Sequence, residues 1–205
     1  GIELEGKITT TSTAIAPGGF YFVRQNNTST DYVTFTRYNS PIEIPTSDPR
    51  YALRVRCTNP QPQSYKDIRI RFMDVNRFSS LTEPYTFYCS GISTGVYTNV
   101  QIYLVRNFGT GGSSETRTAV SNVIQVPTSQ SAVSASFVFG TNAGKTIGTE
   151  DDDYIDVVLS LPATAAFDVE FTDFILTDGN ITISGFPTTT DSEFIRDSMT
   201  LPTPT

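Results

Sequence analysis

The chain has 205 residues, 14 of them basic and 21 acidic, with no histidine and no tryptophan, for a net charge of −7. That length accommodates one substantial domain with attached segments and buries a core without staples, while the acidic balance argues against nucleic-acid and membrane partners. No apolar run reaches the roughly 18 residues of a membrane span, and the N-terminus lacks the basic start and apolar middle of a signal peptide, so the sequence reads as soluble.

In chain order, Thr9 to Thr13 is a threonine and serine run, and Pro17-Gly18-Gly19 introduces a short aromatic strand from Phe20 to Arg24. Tyr32 to Tyr38 alternates cleanly and predicts a strand with one wet face. Tyr51 to Cys57 places Tyr51, Leu53, Val55 and Cys57 on one side with Arg54 and Arg56 on the other. Ile68 to Phe72 repeats the pattern around Arg69 and Arg71, and the two strands are expected to share an arginine-bearing face. Asp74 to Leu81 suits one helical turn, because Val75, Phe78 and Leu81 recur every three residues before Glu83-Pro84 closes it.

Further strands are expected at Tyr85 to Cys89, Val100 to Arg106, Asn122 to Val126, Ala132 to Phe139, Ile155 to Leu161 and Phe167 to Leu176. Turn clusters at Gly109 to Ser114 and Gly140 to Gly148 separate them, and about ten short strands at this spacing predict a sandwich. Residues 1–19 read as an N-terminal arm, 20–180 as the β-sandwich domain and 181–205 as a C-terminal linker or assembly segment. The chain opens at Gly1 and closes on Leu201-Pro202-Thr203-Pro204-Thr205, which reads as part of a longer polypeptide. Cys57 and Cys89, 32 positions apart and with no histidine to complete a metal set, read as buried reduced thiols, with a disulfide across neighbouring strands as the alternative.

Several short motifs occur in a fixed order. They are Phe20 to Phe22, Ala52 to Val55, Pro84 to Phe87, Asn107-Phe108-Gly109 with the loop to Ser113, Gly144 to Gly148, Asp152 to Tyr154, Leu161-Pro162 and Phe171 to Asp173. In this order they resemble the carbohydrate-binding-module-like β-sandwich domains of tail-fibre and other virion proteins of tailed bacteriophages, over roughly residues 20 to 180. The resemblance implies an all-β fold, an antiparallel β-sandwich of jelly-roll type with extended N- and C-terminal arms. It also implies a virion location, with other virion proteins and copies of the chain as partners, as a homotrimer, and host surface polysaccharide as a further partner. The tryptophan usual after the Pro-Tyr-Thr-Phe position is absent here.

The lack of histidine removes the commonest general base and every histidine-activated nucleophile. Asp151, Asp152 and Asp153 are consecutive, so in an extended chain they alternate in direction, unlike the flanking pair of a glycosidase, and they read as a solvated acidic turn. The alternative for them is a Ca²⁺ site, with Glu150, Asp156 or Asp173 as helpers. Gly109-Thr110-Gly111-Gly112 lacks the lysine and helix of a phosphate cradle and reads as a flexible loop. Tyr21, Tyr32, Tyr38, Tyr65, Tyr97 and Tyr103 with Arg54, Arg56, Arg69 and Arg71 offer the materials of a saccharide face, with no individual contact assigned.

The resulting expectation is a non-enzymatic structural module of a bacteriophage virion, part of a tail fibre or other fibre-like appendage, with no catalytic residue and no cofactor. The alternatives are a receptor-binding module for host surface glycan, a polysaccharide-degrading enzyme and a capsid decoration protein.

Overall fold

An extended chain with period-two alternation has one apolar face, and two such faces laid together exclude water from both. The structure, a computed structural model, describes residues 4–8, 13–15, 21–25, 33–39, 51–58, 60, 65–78 and 80–180, with side chains described in 53–58, 60, 65–78 and 82–180. There is no helix among the described residues. The strands are β1 (Leu4–Ile8), β2 (Thr13–Ile15), β3 (Tyr21–Gln25), β4 (Val33–Asn39), β5 (Tyr51–Cys57), β6 (Tyr65–Met73) and β7 (Ser80–Ser93). They continue as β8 (Thr98–Asn107), β9 (Thr116–Ala119), β10 (Ile124–Val126), β11 (Ser131–Gly140), β12 (Tyr154–Leu161) and β13 (Phe167–Asp178).

These form two antiparallel sheets, one of six strands in the order β1-β4-β5-β13-β7-β11 and one of seven in the order β10-β8-β12-β6-β3-β2 with β9 added on β8. The expected all-β antiparallel sandwich is the fold. Leu53, Val55, Phe87, Val169 and Phe171 supply the core from the first sheet, and Ile68, Ile102, Leu104, Ile155 and Val157 from the second. Cys57 and Cys89 are both buried in this core, and burial pushes the Cys89 thiol well above its ordinary range.

The structure changes several expectations. Residues 4–8 and 13–15, expected in the N-terminal arm, are strands paired to β4 and β3, so the sheets begin ahead of residue 20. Thr116–Ala119 adds a strand to β8 that its polar composition hides. The segment after Asp74 is a turn, not a helix, with Arg77 N donating to Asp74 O at 3.1 Å and Asn76 N to Asp74 Oδ1 at 2.9 Å. Asp74 adopts φ 72, which breaks the helical path. The two arginine strands do not share a face, because β5 and β6 belong to opposite sheets. Residues 181–205 lie outside the described residues.

The glycine-rich loop is tied to the chain around Gly144 to Gly148 by hydrogen bonds. Gly148 N donates to Phe108 O at 2.7 Å, Ser113 N to Thr146 O at 2.8 Å, and Thr146 N to Ser113 Oγ at 2.9 Å. The backbones approach so closely that a Cβ on Gly112 would lie 2.1 Å from Phe108 O, and one on Gly148 would lie 2.2 Å from Thr110 O. Three motifs distant in sequence, Asn107 to Ser113, Gly144 to Gly148 and Asp152 to Tyr154, thus meet as one clasp at the start of β12. Gly111, by contrast, has φ 80 and open space around its Cβ direction. Gly112→Ala is therefore expected to destabilise by at least about 2 kcal/mol through backbone collision, while Gly111→Ala loses only about 1–2 kcal/mol of left-handed strain, both read by urea denaturation.

Glu170 of β13 lies opposite Arg54 in register, yet the Arg54 guanidinium is held by Asp168, with contacts of 2.7 and 2.6 Å. Burial pushes the Glu170 carboxyl from 4.5 up to about 7. The folded state then holds a proton that the unfolded state has released between those pH values, so this stability is complete below about pH 4.5 and is lost as pH rises toward 7. Glu170→Gln is expected to leave stability at pH 4 nearly unchanged and to raise it at pH 8 by about 1–3 kcal/mol, measured as the difference between variant and parent melting.

Candidate functional site

Side-chain parity on β6 sends Ile68 and Ile70 inward and Asp67, Arg69 and Arg71 to the outer face of the seven-stranded sheet. That face is occupied by an ion-pair network. Arg69, 3% exposed, donates to Asp67 Oδ2 through Nη2 at 3.0 Å and to Asp156 Oδ2 through Nη1 at 3.4 Å. Arg71 grips Asp156 with two bonds of 2.9 and 3.0 Å, directly across the β6–β12 ladder. From β9, Arg117 holds Asp67 in the same two-pronged way, at 2.7 and 2.9 Å, and donates to Ser160 Oγ at 3.1 Å. Burial alone would lower the Arg69 pKa, but the charges of Asp67 and Asp156 and the bond to Asp67 outweigh it, so the guanidinium is held more firmly charged.

The arginines also carry the rings of the face. Arg117 lies over Tyr103 at 4.1 Å and over Tyr65 at 4.8 Å, and Arg71 lies 3.4 Å from the centre of the Tyr154 ring. Tyr65 and Tyr103 then enter a groove of about 640 Å³ at the C-terminal end of β12. Tyr97 completes its aromatic lining from the β7–β8 turn, 57% exposed, with Val96 and Val123 as an apolar rim. Beside the tyrosines, the polar lining is Thr98, Asn99, Gln101 and Ser160. Gln101 is held in one orientation, since its Oε1 accepts from Tyr103 Oη at 2.7 Å and its Nε2 donates to Ser121 O at 2.9 Å. Lys66, buried beneath, donates to Ala163 O and so ties the loop after β12 that forms one wall.

Of the residues the sequence marks for a saccharide face, Tyr65, Tyr97 and Tyr103 converge. Tyr21 is in β3 of the same sheet, Tyr38 is in β4 of the other, and Tyr32 lies outside the described residues. Arg54 and Arg56 sit on the other sheet beside Asp168, at 2.6 and 3.6 Å, while Arg69 and Arg71 are locked in the network and not presented to solvent as open arginines. Asn99, Gln101 and Ser160 escape the sequence reading. The period-two series Asn99, Gln101, Tyr103 on one face of β8 is the signal that marks the first two.

The acidic turn lies at the opposite end of β12, and its carboxylates are engaged in structure. Asp152 accepts from Thr110 N at 2.8 Å and Thr110 Oγ1 at 2.6 Å, and these bonds hold its pKa below the ordinary carboxylate value. Asp153 Oδ2 accepts from the N–H of buried Val75 at 2.7 Å, and Asp151 takes φ 53 at the bend. Asp156 belongs to the arginines, and Asp173, with φ 54, stands at the register shift of β13 in the other sheet. The solvated turn expected at Asp151 to Asp153 is in part a set of anchors, and among the described residues no three such side chains gather as a metal site.

The network has a stability consequence. Asp67→Ala leaves Arg69 and Arg117 without their shared carboxylate and is expected to cost about 3–5 kcal/mol, as for a broken buried pair. Arg54→Ala, at the half-buried pair on the other sheet, is expected to cost about 1 kcal/mol or less; chemical denaturation of both variants checks the contrast.

No family model matches the sequence, and no curated protein matches it. Solved structures do share its architecture. The chain is similar to a CBM4 structure, with 8% identity and a TM-score of 0.51, over 78% of this chain and 87% of that one. It is similar to the CBM22-1 xylan-binding domain of Paenibacillus barcinonensis Xyn10C, with 7% identity and a TM-score of 0.51, over 85% and 99% of the two chains. It is also similar to the family 11 carbohydrate-binding module of Clostridium thermocellum in complex with a beta-1,3-1,4-mixed-linked tetrasaccharide, with 8% identity and a TM-score of 0.50, over 84% and 94%. At such identities the likeness is one of fold, a β-sandwich of the carbohydrate-binding-module kind.

Proposed function

We propose that this β-sandwich, with the fold of carbohydrate-binding modules, is a non-catalytic glycan-recognition module whose site is the tyrosine groove on its seven-stranded sheet. One observation carries the reading: Tyr65, Tyr97 and Tyr103 line a single groove together with Asn99, Gln101 and Ser160. A sugar ring has an apolar face of C–H groups and an equator of hydroxyls. Tyrosine rings meet the first, and amide and hydroxyl groups meet the second. These polar groups bind hydroxyls, and none is a carboxyl placed for acid–base chemistry among the described lining residues.

The setting proposed for the module is a tailed-phage virion, in a tail fibre or another appendage, with host surface glycan as the ligand. The ordered motifs from Phe20 to Asp173 support that setting. Mass spectrometry of purified particles tests it directly.

Binding of the chain to an array of bacterial surface glycans, followed by calorimetry on the hits, tests the recognition itself. Tyr97→Ala removes an exposed ring from the groove and is expected to weaken binding about tenfold or more with the melting temperature unchanged. Glycan binding that survives both Tyr97→Ala and Gln101→Ala places the site elsewhere, and release of reducing ends from a bound glycan overturns the non-catalytic reading.

A further inference from the structure

β11 (Ser131–Gly140) ends the six-stranded sheet. It pairs with β7 along one side, and among the described residues no strand pairs with it and no backbone hydrogen bond reaches it on the other. A strand in this position presents a row of N–H and C=O groups, and each must find water or another strand. Proteins usually blunt such an edge with shortness, lysine, proline or an inward-pointing charge.

β11 uses none of these. It runs ten residues, Ser-Ala-Val-Ser-Ala-Ser-Phe-Val-Phe-Gly, with neither a charged residue nor a proline. Its single irregularity is the register shift between Val138 and Gly140, at its end. Ala132, Ser134, Ser136 and Val138 are exposed, Val138 at 38%, while Val133, Phe137 and Phe139 anchor the other face in the core. The result is an uncharged edge of roughly 33 Å, anchored in the core from beneath.

We propose that β11 is an association edge on which β11 of a second copy of this chain pairs antiparallel, continuing the sheet across a two-fold axis. Two features select a second copy over a foreign strand. A foreign strand is chosen by complementary charge or by pockets for alternate side chains, and β11 carries no charge and shows small side chains on its exposed face. The same composition makes it complementary to itself. Antiparallel self-pairing sets only serine, alanine, valine, phenylalanine and glycine across from one another in every register, with no like charges opposed, although each chain carries −7 overall. A two-fold interface uses one patch twice, as a self-compatible strand allows. The groove is built on the other sheet, so association and glycan recognition are separate properties.

Sedimentation of the whole chain from about 1 to about 200 µM at physiological ionic strength reads the association as a mass-action equilibrium. The expected result is a monomer–dimer equilibrium. Ala132→Lys, Ser134→Lys and Val138→Lys combined face lysine with lysine in a paired edge, and the corresponding triple glutamate variant faces glutamate with glutamate. Each alone is expected to stay monomeric with β-sheet circular dichroism intact, and an equimolar mixture is expected to sediment as a dimer. Recovery on mixing is an outcome that damaged folding does not produce. Should either triple variant lose its fold, the pair Ser134→Lys and Ser134→Glu, at one exposed position, applies the same test. A parent chain that remains monomeric or forms only a species other than a dimer, a lysine variant that associates like the parent, or a folded mixture that stays monomeric each overturns the proposal.

Discussion

Asp67 is the point on which the outer face of the seven-stranded sheet turns. Its two oxygens hold Arg69 from its own strand and Arg117 from β9, and Arg69 reaches on to Asp156, which Arg71 clamps in turn. Charges removed from water are costly unless their partners replace the lost hydration, and here two-pronged guanidinium bonds do so. Because Arg117 and Arg71 lie against Tyr65, Tyr103 and Tyr154, the network that neutralises the face also sets the attitude of its rings. Rings held this way have little further freedom to lose, which under the proposed glycan-binding role is the condition for modest contacts to yield useful affinity.

The two ends of β12 are specialised differently. At its start, the glycine clasp and the carboxylates of Asp152 and Asp153 knot three loops together with hydrogen bonds to backbone. At its far end, roughly 26 Å along eight residues, the chain opens into the groove, with its wall tied by Lys66 to Ala163 O. A hydrogen-bonded loop cluster at one end and an exposed aromatic cleft at the other accord with the proposed reading, in which the scaffold carries recognition on a limited part of its surface.

Much of the strand pattern was legible because alternation is a local property. Tyr51–Cys57 is recovered at its full length, and β11, β12 and β13 differ from expectation only at their ends. The short polar strand Thr116–Ala119 was illegible, since no apolar period marks it and only its pairing with β8 makes it a strand. The groove was legible in kind and not in place. Tyr65, Tyr97 and Tyr103 were recognisable as suitable residues, but so were Tyr21, Tyr32 and Tyr38, and nothing local separates the two sets.

By itself the sequence determined the class of the fold, the apolar side of each long strand, and the poverty of histidine-based chemistry. Each of these follows from residue identity or from spacing along one strand. Tertiary structure alone decided that β5 and β6 lie in opposite sheets, and with that whether their arginines meet. It also decided that Arg69 is a buried member of a network. It converted Gly112 and Gly148 from loop spacers into the close contacts of a clasp. The physical reason is the same in each case. Whether a charge is solvated or paired, and whether a glycine is free or required, depends on how the chain folds back on neighbours that include residues far away in sequence, as Asp156 is from Arg69 and Ser113 from Thr146, and alternation within one strand carries no information about which strand lies beside it.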